Sequence, residues 1–234
     1  MLGPLDYIIW LSGFFLQAAV VVAILCRGAL ARYYAVAAFM ATSILVNCFQ
    51  YLCISRYGVD SKEYSYCYYS AESLRTILLF FVIIQLCEQI FAEMHVHRYI
   101  RGGASMLLFA TALFSYVVIH THGEHLTKHF VVEFGQNLYF VGVVITYALW
   151  VAILHFRETR ARLIHLVLAL GLYFSGTAAT YALRNLFPEM QPFILQWVPP
   201  VFGALLPFAW SYTFWRVPEE ARIMRYQLEG RTAR

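Results

Sequence analysis

Glu72 and Arg75 stand three residues apart in a stretch, Tyr64 to Met94, that reads as one long and otherwise apolar helix. That spacing places both on one helix face, a turn apart. Eight apolar residues follow, Ile77 to Ile84, and then Gln85 and Glu88. An ionisable side chain inside hydrocarbon costs roughly 2.5 kcal/mol or more, so it turns toward a partner, a cavity or water. Two kinds of chemistry suit such a pair. An ion pair can hold a polar ligand, or Glu72 can act as general acid or base on a lipid-like substrate. Burial would raise the pKa that the second role needs, and Arg75 would oppose it. A paired carboxylate is a poor proton donor, which favours the binding role.

Other polar residues fall at the same depth. Asn47 and Gln50 form a second pair three residues apart. Glu133, Gln136 and Asn137 lie just after a polar loop, and Arg184 and Asn185 close a later apolar span. Tyr68 belongs to a dense run, Tyr64 to Tyr69, that leads to Glu72 and can offer hydroxyls at a pocket mouth. The competing role for each amide is simple helix–helix hydrogen bonding, which contributes about 0.6 kcal/mol on average in membranes. In the loop, His120, His122, His125 and His129 precede Glu133. His125, His129 and Glu133 recur every four residues, one helix face if the helix starts early, and imidazole with carboxylate suits zinc. A solvated, pH-responsive loop explains the same histidines without metal. No other cofactor is expected.

The elements that must position these groups follow from composition. Of 234 residues, 61% are hydrophobic and 13% charged, against about 25% charged in a soluble domain. Too little polar surface remains to coat a water-soluble fold. Seven apolar spans, each near the ~20 residues that cross a bilayer, are expected at Tyr7–Cys26, Tyr33–Ser55, Ser65–Phe91, Ala104–Ile119, Phe130–Leu154, Leu163–Phe187 and Ile194–Trp215. The fourth is the shortest. The predicted fold is an all-α, polytopic membrane protein: a seven-helix transmembrane domain over residues 1–216 and a short basic tail over 217–234. Met1–Tyr7 has no Lys or Arg and carries Asp6, which argues that the first span is retained rather than cleaved as a leader.

Orientation is read from Lys and Arg in the connections. With the N-terminus outside, Arg27, Arg32, Arg98, Arg101, Arg157, Arg160, Arg162, Arg216, Arg222, Arg225, Arg231 and Arg234 are cytoplasmic, and only Arg56, Lys62, Lys128 and Arg184 are outside. N-out and C-in is therefore the expectation, in a bacterial inner membrane. It puts Glu72 and Arg75 in the outer half of the third span, roughly 10 Å below the surface at 1.5 Å per residue. The result is an outward-facing polar pocket, with the bilayer as the chain's first partner.

Absences narrow the function. Lys62 and Lys128 lie outside the spans, so the seventh span has no lysine for a retinal Schiff base. The intramembrane His and Asp set of a seven-helix zinc hydrolase is missing. No phosphate loop, nucleotide fingerprint or nucleophile elbow occurs, and no nucleic-acid partner is expected. The five cysteines show no zinc or redox spacing; Cys53 and Cys67 both approach the outer end. Pro199, Pro200 and Pro207 free backbone carbonyls in the last span and mark it as bent or moving.

The run Tyr66-x-Tyr68, Glu72, Leu74, Leu78-Leu79, Val82-Ile83-Ile84, Glu88-Gln-Ile-Phe91, with the later Gln196-Trp197-x-Pro199, resembles a third-helix signature of a family of small bacterial seven-helix integral membrane proteins. The resemblance adds weight to Glu72 and Glu88 and implies no activity. In topology alone, the chain is also similar to the seven-helix sensor modules at the front of some bacterial signalling proteins. The function expected is a small-ligand binding or sensing module that signals through a partner in the membrane or cytoplasm. The alternative is an intramembrane enzyme or carrier for a lipid-like substrate, with Glu72 as its acid or base.

Overall fold

The computed structural model describes residues 4–58, 61–92, 97–122, 126–155, 160–187 and 191–222. Among them are seven helices and no strand: α1 (Pro4–Cys26), α2 (Tyr34–Tyr57), α3 (Lys62–Ile90), α4 (His97–His122), α5 (Leu126–His155), α6 (Ala161–Leu186) and α7 (Gln191–Arg216). Four stretches are long and apolar enough to cross a membrane: Tyr34–Tyr57, Tyr66–Ile90, Phe134–His155 and Ala161–Leu183. Within α1, Trp10–Cys26 is a shorter apolar stretch.

Local chemistry sets the helix ends. Gly28, at φ 62°, takes the left-handed conformation that closes α1. Its N–H donates to the Leu25 carbonyl and the Ala29 N–H to that of Ile24, both at 3.0 Å, which is the Schellman arrangement. Ser61 caps α3 by accepting from the Tyr64 N–H at 3.0 Å. Several boundaries differ from the hydropathy reading, α1, α5 and α7 among them, each starting three or four residues early at Pro4, Leu126 and Gln191. α4 begins at His97 rather than Ala104, taking in Arg98 and Arg101, because a helix can outrun the hydrocarbon that hydropathy detects. α3 closes at Ile90, short of Met94.

Six helices close a ring, in which α1 packs on α2, α2 on α3, α3 on α5, α5 on α6, α6 on α7 and α7 back on α1. α3 touches α6 across the middle, and α4 lies outside the ring against α5 and α3. The centre is aromatic. Trp210 and Phe214 of α7 and Phe174 of α6 are fully buried; Phe39 packs edge-on to Trp210 and Tyr33 edge-on to Phe214. Outside, Leu45, Phe109, Val144 and Leu154 are about 70% exposed (68%, 70%, 68% and 71%). Such an apolar exterior has hydrocarbon, not water, as its natural solvent.

α5 and α6 approach closely where Gly142 meets Phe174. A Cβ at Gly142 would lie 2.3 Å from that ring, and one at Gly176 would lie 2.1 Å from Phe202 of α7. Small residues at these seams let helix backbones come together, as lipid-embedded packing favours.

Candidate functional site

Glu72, Arg75 and Thr76 share the face of α3 that looks between α2 and α5. The Arg75 guanidinium reaches three acceptors: Nη1 donates to Glu72 Oε2 at 3.4 Å, and Nη2 to Asn47 Oδ1 at 2.5 Å and Gln50 Oε1 at 3.2 Å. Asn47 and Gln50 face it because residues i and i+3 of α2 lie on one side. Asn47 Nδ2 in turn donates to Gln17 Oε1 of α1 at 3.0 Å. On the other flank, the Tyr139 hydroxyl of α5 donates to Glu72 Oε1 at 2.7 Å. The Thr76 hydroxyl is spent on the Glu72 carbonyl at 2.8 Å and lies 3.4 Å from Tyr139 Oη.

A continuous polar chain, Gln17–Asn47–Arg75–Glu72–Tyr139, thus crosses four helices. The ion pair is partly open, with side-chain exposures of 21% for Arg75 and 26% for Glu72. Beyond Tyr139 the wall is aromatic: Tyr181 stacks on it at 5.7 Å, and Tyr173 and Phe174 meet it at 6.2 and 6.0 Å. Tyr68, one turn before Glu72, is 41% exposed and packs beside Tyr64. Two donors are left over. Arg75 Nε and Gln50 Nε2 are buried and find no acceptor among the described residues. The Gln50 amide cannot simply be turned round, since its oxygen already accepts from the guanidinium.

Of the residues expected here from sequence, Glu72, Arg75, Asn47 and Gln50 come together, with Tyr68 at the margin. Gln136 lies one turn from Tyr139 on the same face of α5 and is half-buried. Asn137 turns elsewhere: its Nδ2 donates to Ser115 Oγ of α4 at 3.0 Å. It is two residues from Tyr139, about 200° round the helix. The side chains of Glu133, Arg184 and His129 lie outside the described residues, as does His125, so the zinc reading falls outside them too. Among the described residues no group of three metal ligands occurs. Cys53 and Cys67 are free thiols.

Sequence reasoning missed Gln17, Thr76 and Tyr139. Gln17 left a signal, a lone amide in an apolar run. Tyr139 left none, because a tyrosine in an aromatic-rich span looks like any other. No family model, curated protein or solved structure matches the chain.

Proposed function

We propose that the protein is a small-ligand binding or sensing module of a bacterial inner membrane, with seven membrane-crossing helices, the N-terminus outside and the C-terminus in the cytoplasm. Its pocket opens outward around Glu72 and Arg75, and its signal passes to a partner in the membrane or cytoplasm. One observation carries the reading: Arg75 Nε and Gln50 Nε2 are two buried donors with no acceptor among the described residues, on a charged network that joins four helices. Buried donors cost about 1–3 kcal/mol each when unmade. A ligand oxygen that satisfied both would draw α2 and α3 together, and Glu72 with Tyr139 would pass the change to α5.

The enzyme or carrier reading has less support. Glu72 is already held by a guanidinium and a phenol, and such a carboxylate has little freedom to ferry protons. Mass spectrometry of small molecules that co-purify with the parent protein and with Glu72→Gln/Arg75→Met tests the proposal. A polar compound retained by the parent and lost from the variant is expected. Equal retention by both proteins would remove the site from the reading.

A further inference from the structure

Glu72 and Arg75 each keep hydrogen-bonding capacity in reserve, and the two reserves are of opposite sign. A guanidinium carries several N–H donors, and a carboxylate accepts at several lone-pair sites. Arg75 reaches Glu72, Asn47 and Gln50 through its terminal nitrogens, and its Nε is buried with no acceptor among the described residues. Gln50 is 8% exposed, and its Nε2 is in the same condition. The two side chains are already joined, Nη2 to Oε1, at 3.2 Å. Glu72, for its part, accepts a short bond from Tyr139 at 2.7 Å and a long one from Arg75 at 3.4 Å. Charge-assisted N–H···O bonds close to about 2.7–2.9 Å, so Oε2 is far from saturated. The carboxylate side chain is also 26% exposed.

Charge narrows what can use both reserves. Glu72 and Arg75 cancel, and among the described residues no further charge joins Gln17, Asn47, Gln50, Thr76 and Tyr139 in the network. A bound anion would satisfy the buried donors and leave the site negative. A bound cation would suit Glu72, but it would leave the site positive and both donors unmade. Uncompensated charge inside a membrane span is costly. Both deficits close only when an anionic acceptor and a cation arrive in one molecule of no net charge. A neutral amide or alcohol also keeps the balance, but it brings no full charge to meet either partner.

We propose that the ligand is a small zwitterion of the amino-acid type, an assignment that rests on the binding role proposed above. Its carboxylate takes Arg75 Nε and Gln50 Nε2, and its ammonium takes the open side of Glu72. Charge-assisted contacts at both ends thereby supplement the long ion pair, with the sum of charges unchanged. Gln50 lies on α2 and the charged pair on α3, so the ligand's carboxylate bridges the two helices.

The test is thermal unfolding of the purified protein in detergent at neutral pH, titrated with each protein amino acid that has an uncharged side chain. The one that raises the melting temperature most is then compared with its N-acetyl derivative, an anion, and with the corresponding amine, a cation. Each derivative should need about tenfold more for the same shift, as loss of one charge-assisted contact implies. Glu72→Gln keeps an acceptor for Tyr139 and removes the negative charge, so it should reverse the order and favour the N-acetyl derivative. Arg56→Gln, exposed on α2 and outside the network, should respond as the parent does. A parent protein that responds to all three compounds equally, or to no amino acid, would overturn the proposal, as would a Glu72→Gln protein that still prefers the free amino acid. A co-purified compound of net charge, lost from Glu72→Gln/Arg75→Met, would overturn the zwitterion and leave the binding site standing, whereas equal retention by both proteins removes both.

Discussion

Arg75 does more than neutralise Glu72, and this changes what its removal should cost. Considered as an isolated pair, Glu72 and Arg75 would be costly to break singly and nearly neutral to replace together. In the structure Arg75 also satisfies Asn47 and Gln50, so Arg75→Met strands two amide oxygens as well as a carboxylate. We expect Arg75→Met to lose about 3 kcal/mol, the low end for a buried pair because the site is partly open. Glu72→Gln should lose less, since glutamine still accepts from Tyr139. The double variant should recover only the portion due to the stranded carboxylate. Denaturation in detergent measures all three; a double variant as stable as the parent would show that the amide contacts contribute nothing. Tyr139→Phe should cost about 1 kcal/mol, the net worth of one hydrogen bond, in the same assay.

At the level of helices, the α5–α6 seam depends on the absence of a side chain at Gly142. Phe174 is fully buried and cannot swing away from a new methyl group. Gly142→Ala should therefore destabilise by about 1–3 kcal/mol through overpacking. Gly176→Ala meets the far end of Phe202, which is only half-buried, and should cost less. Gly203, with open space around its Cβ position, is the control: Ala there should be neutral or stabilising by up to about 1 kcal/mol through helix propensity. Melting temperatures ranked Gly142→Ala below Gly176→Ala below Gly203→Ala would bear out the seam; equal values would not.

For the whole molecule, the basic end is where α1, α3 and α7 finish and α2 and α6 begin, and Arg27, Arg32, Arg160, Arg162 and Arg222 gather there. The proposed orientation turns this end toward the cytoplasm, since positively charged connections are retained on that side. A reporter that is active only in the cytoplasm, fused after Arg234, should be active, and one that needs the outer side should be silent. The reverse result would invert the bundle and place the Glu72–Arg75 network on the inner side.

Much of this architecture was legible in the chain, because hydropathy and length are local properties. Seven apolar runs became seven helices, and the three-residue spacings of Glu72 with Arg75 and of Asn47 with Gln50 survive as shared faces. Helix ends at α3 and α4 were less legible, since capping and hydrogen bonding, not apolarity, decide where a helix stops. The partners of each polar group were not legible at all. Asn137 and Tyr139 are two residues apart and only Asn137 stands out in the sequence, yet Asn137 serves α4 and Tyr139 serves Glu72. Gln17 joins Asn47 across 30 positions, and Arg160 comes to face Arg222 only because α6 and α7 lie side by side. Composition and periodicity determine which residues leave water and which face of a helix they occupy. Helix rotation and neighbour order are set by packing among all seven helices, and that packing alone decides which donor meets which acceptor.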